Sequence, residues 1–225
     1  MIGIFCTHGG TVPAGVRAAC VASINGAGFR AVVSVLPDAD TPHPDSAYIH
    51  SMPCAQPGLR DRWARILEGL NAARDLVPRG PQLVALLEHD VIYPPGYALL
   101  PRQTAPGQVN YTEAVRLTRT GWARARALSS TAVGRIGDLS KIALKRINSI
   151  DTGMRIKWDE PGRNPGDGIK TLLEAFADTP PTVDVRHGHN LTGDRRPNLP
   201  ANMRYLGDYR DYWTTLNNTT GATQP

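Results

Sequence analysis

Over the first hundred residues, short apolar runs alternate with helical periodicities, and this alternation restricts the fold more than any other feature of the chain. Ile2–Thr7 (IGIFCT) is a short apolar run ended by Gly9-Gly10, which predicts a strand and a turn. Val12–Ala27 carries Val16, Ala19, Cys20, Ser23 and Ile24 at helical spacing, and Gly26 and Gly28 stop it. Phe29–Leu36 is dense in valine, as a buried parallel strand requires. Pro37–Pro57 is rich in Pro, Asp and Ser and is expected to be a loop. Leu59–Leu76 places Leu59, Trp63, Ile66, Leu67 and Leu70 on one stripe with arginines opposite, which predicts a helix. Gln82–Leu87 is again a buried-strand run. Strand, helix, strand, helix, strand at this spacing predicts an α/β domain with a mainly parallel sheet flanked by helices. In such sheets ligands bind beyond the carboxyl ends of the strands. Thr7-His8, the loop after Leu36 and Glu88-His89-Asp90 would meet on that edge.

The second half is less regular. Val109–Thr118 is expected to be one strand, Leu139–Ile150 a basic helix, Ile169–Phe176 a short helix and Thr182–Val185 a short strand. Arg119–Thr131 has no clear pattern, and Gly153–Gly168 is a charged, Gly/Pro-rich loop. Residues 1–213 are expected to form one catalytic domain, with Thr214–Pro225 a flexible polar tail. A chain of 225 residues, 41% apolar and 20% charged, can bury a core without disulfides or metals. No run approaches the 18 apolar residues of a membrane span. The N-terminus lacks the basic start and long apolar run of a secretory signal. Cys6, Cys20 and Cys54 are too few and too scattered for a disulfide or zinc framework. Together these features lead to the expectation of a cytoplasmic protein.

The net charge of +5 is concentrated in one region. Gly96–Lys157 contains eleven Lys/Arg against Glu113, Asp138 and Asp151, which gives +8 and leaves −3 for the remainder. A basic segment on a near-neutral body fits a polyanionic partner, because cations that neutralise phosphates release condensed counterions. Arg119, Arg124, Arg126, Lys141, Lys145 and Arg146 would form the track, with Tyr111, Trp122 and Trp158 available to stack on a base. A solvated face with core aromatics accounts for the same residues.

Glu88-His89-Asp90 is the main chemical signal. Alternation at the strand end places Glu88 and Asp90 on the same side, with His89 on the other. Carboxylates leaving a buried strand must be hydrogen-bonded, paired or bound to a cation. Their oxygens suit Mg or Mn, which take one or two carboxylates plus phosphate oxygens. Arg186-His187-Gly188-His189 follows a short strand and offers imidazoles for ligation or acid–base work. No GxGxxG, GxxxxGK(S/T) or GxSxG pattern is present, which argues against a Rossmann dinucleotide site, a P-loop and a hydrolase elbow.

LLEHDVIYPPGY resembles the EHDV(L/I)YxP segment of GT-A-fold glycosyltransferases of tailed phages and some bacteria, a variant of their Asp-x-Asp motif. VDVRHGHNLTGDR, Val183–Arg195, is similar to the (I/V)D(I/V)RHGxNLT motif of that family. The resemblance spans most of residues 2–196 and departs from the family in Pro37–Pro57. It implies a GT-A-like fold and transfer of a sugar from a nucleoside diphosphate sugar, UDP-sugar first. Asp90 and His187 would hold a Mn or Mg ion, with His189 the alternative ligand. Glu88 would hold donor hydroxyls, and Thr7 and its neighbours would line the nucleobase pocket. The donor-binding set is Thr7, His8, Ser34, Glu88, His89 and Asp90. An inverting transferase also needs a carboxylate to deprotonate the acceptor hydroxyl. Glu160, in a segment similar to a Glu-Pro-Gly of the family, is the first candidate and Asp167 the second. Phage context and the basic segment imply a hydroxylated pyrimidine base in DNA as acceptor, flipped to reach the site.

Three other readings compete. A glycan, protein or small-molecule acceptor would make the charge asymmetry incidental. A nucleotidyltransferase shares strand-end carboxylates but usually carries a basic residue in its first Gly-rich turn, and Thr7–Gly15 contains no Lys or Arg. A non-catalytic nucleic-acid-binding protein would have no use for both motifs.

Overall fold

The computed structural model describes residues 1–7, 12, 14–37, 42–51, 58–76, 83–102, 104–118, 121–125, 128–156, 160–174 and 181–185. Its elements in chain order are β1 (Ile2–Cys6), α1 (Ala14–Gly26), β2 (Ala31–Leu36), β3 (Ser46–Ser51), α2 (Leu59–Leu76), β4 (Leu83–Glu88) and β5 (Val91–Ile92). They continue with β6 (Gln108–Thr112), β7 (Ala114–Thr118), β8 (Gly121–Ala125), β9 (Ala132–Arg135), α3 (Ile136–Asp151), β10 (Lys170–Glu174) and β11 (Thr182–Val185). Seven strands form one sheet in the order β10-β6-β9-β4-β1-β2-β3, and four form a second in the order β5-β11-β7-β8. In the larger sheet every pairing is parallel except those of β9, which runs against both β4 and β6. The α/β fold with a mainly parallel sheet is therefore what the alternation of the first hundred residues predicts.

The period of two along each strand assigns the two faces. Ile2, Ile4 and Cys6 of β1, with Val84 and Leu86 of β4, pack with Trp63, Ile66 and Leu70 of α2 and with Leu139 and Ile142 of α3. Phe5 of β1 and Ala85 and Leu87 of β4 pack on the opposite face with Ile24 of α1, Tyr93 and Tyr97. Burying a side chain such as Leu70 or Phe5 stabilises the fold by about 1.5–3 kcal/mol. No helix among the described residues is long and apolar enough to cross a membrane.

The chain departs from the sequence expectations in four places. Ser46–Ser51, inside the expected Pro37–Pro57 loop, is strand β3, parallel to β2. Val109–Thr118 is two strands in different sheets, because the chain leaves the large sheet after Thr112 and enters the small one at Ala114. Within Arg119–Thr131, Gly121–Ala125 is strand β8, paired with β7. Ile169–Phe176, expected to be helical, contains β10. Its backbone is taken up by β6, with Lys170 N–H donating to Gly107 C=O at 2.9 Å, and Asn110 Nδ2 donates to Glu174 Oε1 at 2.6 Å. Cross-strand pairing here overrides a local preference that a sequence window reads as helix. The tail Thr214–Pro225 lies outside the described residues.

Candidate functional site

β4 delivers the acidic motif to the carboxyl edge of the large sheet. Glu88 is its last residue, His89 and Asp90 form a turn, and β5 starts at Val91. This turn corrects one expectation. Glu88 and Asp90 do not share a side, because the strand stops between them. The Glu88 carboxylate pairs with Arg62 of α2. Asp90 lies instead near Cys20 of α1, where its charge helps raise the thiol pKa, after the larger effect of burial.

Tyr93 fixes this geometry. Its hydroxyl accepts the Glu88 N–H at 3.1 Å and donates to the Ser130 carbonyl at 3.1 Å, and its own N–H donates to Ser23 Oγ of α1 at 3.0 Å. The start of the motif is thus tied to the far end by a side chain buried in the core. The sequence shows Tyr93 as part of the motif, but only the fold assigns it this role. The same holds for Arg62, which reads in the sequence as one of the solvent-side arginines of a helix.

β11 brings the second motif to the first. Asp184 is in register with Val91 of β5, and Val185 N–H donates to the Asp90 carbonyl at 2.8 Å. The chain therefore leaves β11 beside Asp90, and Arg186-His187-Gly188-His189 follows directly in sequence. Asp184, 6% exposed, accepts from Arg116 Nε of β7 at 3.0 Å and is a second anionic influence on Cys20. His8, His187 and His189 lie outside the described residues. Among the described residues no group of three or more His, Cys, Asp or Glu is assembled for a metal. The donor set at this edge is carboxylate oxygen, which fits a hard divalent ion completed by phosphate oxygens better than a site built wholly of protein ligands.

The other donor-site candidates are buried. Thr7 directly follows β1 at 1% exposure, and His89 is buried in the turn. Ser34 is engaged structurally: its hydroxyl meets Ser46 Oγ of β3 at 2.5 Å and accepts the His43 N–H at 3.1 Å. His43 packs edge-on against Phe5 at 6.1 Å, and burial lowers its pKa.

Glu160 and Asp167 differ in environment. The side chains of Asp167 and Arg146 are each 3% exposed and pair at 2.8 Å, and Asp167 also closes a capping box with Asn164. Its carboxylate is thus tied into the loop. Glu160 is partly exposed, with Arg163 Nη1 at 3.5 Å from Oε1. The next residue, Pro161, accepts the Tyr111 hydroxyl. Through β9, Asn110 is level with Ala85, so Tyr111 stands level with Leu86, two residues short of Glu88. Glu160 is therefore anchored near the same edge of the sheet.

The basic segment also changes character in the fold. Tyr111 is 2% exposed and packed in the core, which removes it as a stacking residue. Arg146 is withdrawn into its pair with Asp167, and Arg102, Arg116 and Arg135 make internal contacts with Glu174, Asp184 and the Thr104 carbonyl. Lys141 and Lys145 stay exposed on α3. Arg119, Arg126 and Trp158 lie outside the described residues, as do the side chains of Trp122 and Arg124.

No protein-family model matches the chain, and no curated protein matches it. Among solved structures it is similar to a nucleoside-diphosphate-sugar pyrophosphorylase from Vibrio cholerae RC9, at 10% identity and a TM-score of 0.48, over 96% of this chain and 100% of the other. It is also similar to a 4-diphosphocytidyl-2C-methyl-D-erythritol synthase, at 11% identity and a TM-score of 0.45, over 78% of this chain and 88% of the other. A third is the inositol-1-phosphate CTP transferase from T. maritima, at 9% identity and a TM-score of 0.45, over 85% and 92%. These are distant likenesses of fold.

Proposed function

We propose that the chain is a metal-dependent glycosyltransferase that moves a sugar from a nucleoside diphosphate sugar, UDP-sugar first, to an acceptor hydroxyl. The observation that carries this reading is the bond from Val185 N–H to the Asp90 carbonyl at 2.8 Å, which sets the end of β11 against the acidic turn. β11, whose chain runs on into the second motif about a hundred residues after the first, thereby ends beside the acidic turn.

In this reading Asp90 would hold a Mn or Mg ion together with His187 or His189. When bound, the ion supplies Lewis-acid stabilisation of the diphosphate leaving group. Glu88, oriented by Arg62 and by the Tyr93 hydroxyl on its N–H, accepts hydrogen bonds from donor hydroxyls. Thr7 borders the nucleobase, with His8 after it. Glu160 is the better placed of the two candidate bases to take the acceptor proton, because Asp167 is committed to Arg146 and to its capping box.

For the acceptor we propose a hydroxylated pyrimidine base of DNA, supported by the +8 charge of Gly96–Lys157. A specific observation favours a second reading with a glycan, protein or small-molecule acceptor: Arg102, Arg116, Arg135 and Arg146 of that segment are turned to internal partners. Nucleotidyl transfer is the further alternative, and it would produce a nucleotide sugar where glycosyl transfer consumes one.

Calorimetric titration of UDP with Mn, repeated with EDTA, tests the donor site. Micromolar binding that requires metal and is lost in Asp90→Asn is expected. Binding unaffected by EDTA and by Asp90→Asn would remove the metal-diphosphate reading. Incubation of UDP-sugars with DNA carrying hydroxymethylcytosine, with unmodified DNA as control, then separates the acceptor readings.

A further inference from the structure

The stripe of α2 that packs on the large sheet ends in two arginines. Gly69 lies against Ile4 of β1, close enough that an added Cβ would meet Ile4 Cγ2 at 2.5 Å. One helical turn earlier, Arg65 lies near Cys6, two residues further along β1, and its charge acts on that thiol together with those of Arg62 and Glu88. A helical turn rises about 5.4 Å and two strand residues about 6.6 Å, so helix and strand run in opposite directions with nearly matched steps. This packing carries Arg65 and then Arg62 to the carboxyl edge of the sheet, on the face opposite α1.

Arg65 is 2% exposed, and its Nε–H has no hydrogen-bond partner among the described residues. The nearby carboxylate, Glu88, pairs with Arg62. A guanidinium presents five donors in a rigid fork suited to phosphate and carboxylate oxygens, and burying its charge is costly unless it is paired. Replacing such a group by an apolar one of similar size is often neutral or stabilising, so its presence needs a reason other than packing.

We propose that Arg65, with Arg62 beside it, forms an oxyanion site for a substrate phosphate at the carboxyl edge of β1 and β4, on the α2 face of the sheet. Arg65 turns the terminal N–H groups of its guanidinium to the phosphate oxygens, and Arg62, held by Glu88, supplies the second positive charge. The site stands on the α2–β1 packing alone. Which phosphate fills it rests on the transferase reading, with two sources available: the diphosphate of the nucleotide donor, or a phosphodiester of a nucleic-acid acceptor.

The test uses the full chain and inorganic pyrophosphate in metal-free buffer, followed by calorimetry and thermal melting. Pyrophosphate is expected to bind and to raise the melting temperature. Arg65→Gln should weaken that binding at least tenfold, while Asp90→Asn should leave it within about twofold, which separates this site from the metal site. Arg65→Met should melt no lower than the wild type without anion and should lose the gain that pyrophosphate gives. Titrating UDP with Mn, and separately a short single-stranded oligonucleotide, into wild type and Arg65→Gln identifies the source by whichever affinity falls. The proposal is overturned if pyrophosphate does not bind the wild type below about 10 mM or binds Arg65→Gln equally well. It is also overturned if Arg65→Met is strongly destabilised in the absence of anion, since the arginine would then be a packing element.

Discussion

At the scale of single residues, the acidic motif depends on one buried phenolic hydroxyl. Tyr93 satisfies the Glu88 N–H and the Ser130 carbonyl together. Tyr93→Phe removes the hydroxyl and keeps the ring, so its effect isolates those two bonds. Leaving buried backbone groups without a partner costs about 1–3 kcal/mol. Urea unfolding of Tyr93→Phe is expected to show a loss in that range with an unchanged m-value. Because the same bond sets the position of Glu88, UDP-sugar affinity should fall more than UDP affinity. Equal stability of variant and wild type would mean that these bonds contribute nothing net. Asp167 teaches the converse lesson. Its sequence setting, Gly166-Asp167-Gly168, reads as a free loop carboxylate, yet its bond to Arg146 makes it a structural residue.

At the scale of elements, α2 joins fold and site. Gly69 allows the helix to lie close on β1, and the same stripe continues to Arg65 and Arg62 at the sheet edge. Alanine at position 69 would gain helix propensity of about 1 kcal/mol, whereas forcing a methyl group onto Ile4 costs about 1–3 kcal/mol. The steric term should win. Gly69→Ala is expected to melt about 4 °C lower by circular dichroism, since 1 kcal/mol corresponds to roughly 2–4 °C in a chain of this size. A variant that melts at or above the wild-type temperature would show that the helix can shift away from β1 at no cost. β10 departs from the helical expectation because its residues alone do not distinguish an edge strand from a short helix. Asn110 and Gly107 of a neighbouring segment, some sixty residues away, decide it.

At the scale of the whole molecule, burial of thiols and phenols makes stability depend on alkaline pH. Burial pushes Cys6 up to about 12 from 9.0 and raises Cys20, Tyr93 and Tyr111 above their ordinary values. In the unfolded chain these groups lose protons from about pH 9 upward, while in the folded chain they keep them. The folded state then binds more protons than the unfolded one, so stability falls as pH rises. Their contribution is complete below about pH 9 and is lost progressively towards pH 12. The melting temperature is expected to hold between pH 7.5 and 8.5 and to drop steeply above pH 9.5. A flat profile to pH 11 would contradict this.

Much of the molecule can be read directly from the residues. β1, α1, β2, α2 and β4 follow from local periodicity, because each buries one face or a whole run against a single sheet and its neighbours lie close in sequence. The acidic motif and its place at the end of β4 follow for the same reason. Tertiary structure alone decides whatever depends on contact between distant segments. It breaks Val109–Thr118 into strands of two sheets, makes a strand of Lys170–Glu174, and draws half-hidden arginines inward to Glu174, Asp184 and Asp167. It also turns Glu88 and Asp90 to opposite sides, since a period of two holds only while a strand continues and here the strand ends between them. The meeting of Val185 with Asp90 belongs to this class as well: pairing between β11 and β5 is a long-range hydrogen-bond register, which no local sequence window encodes.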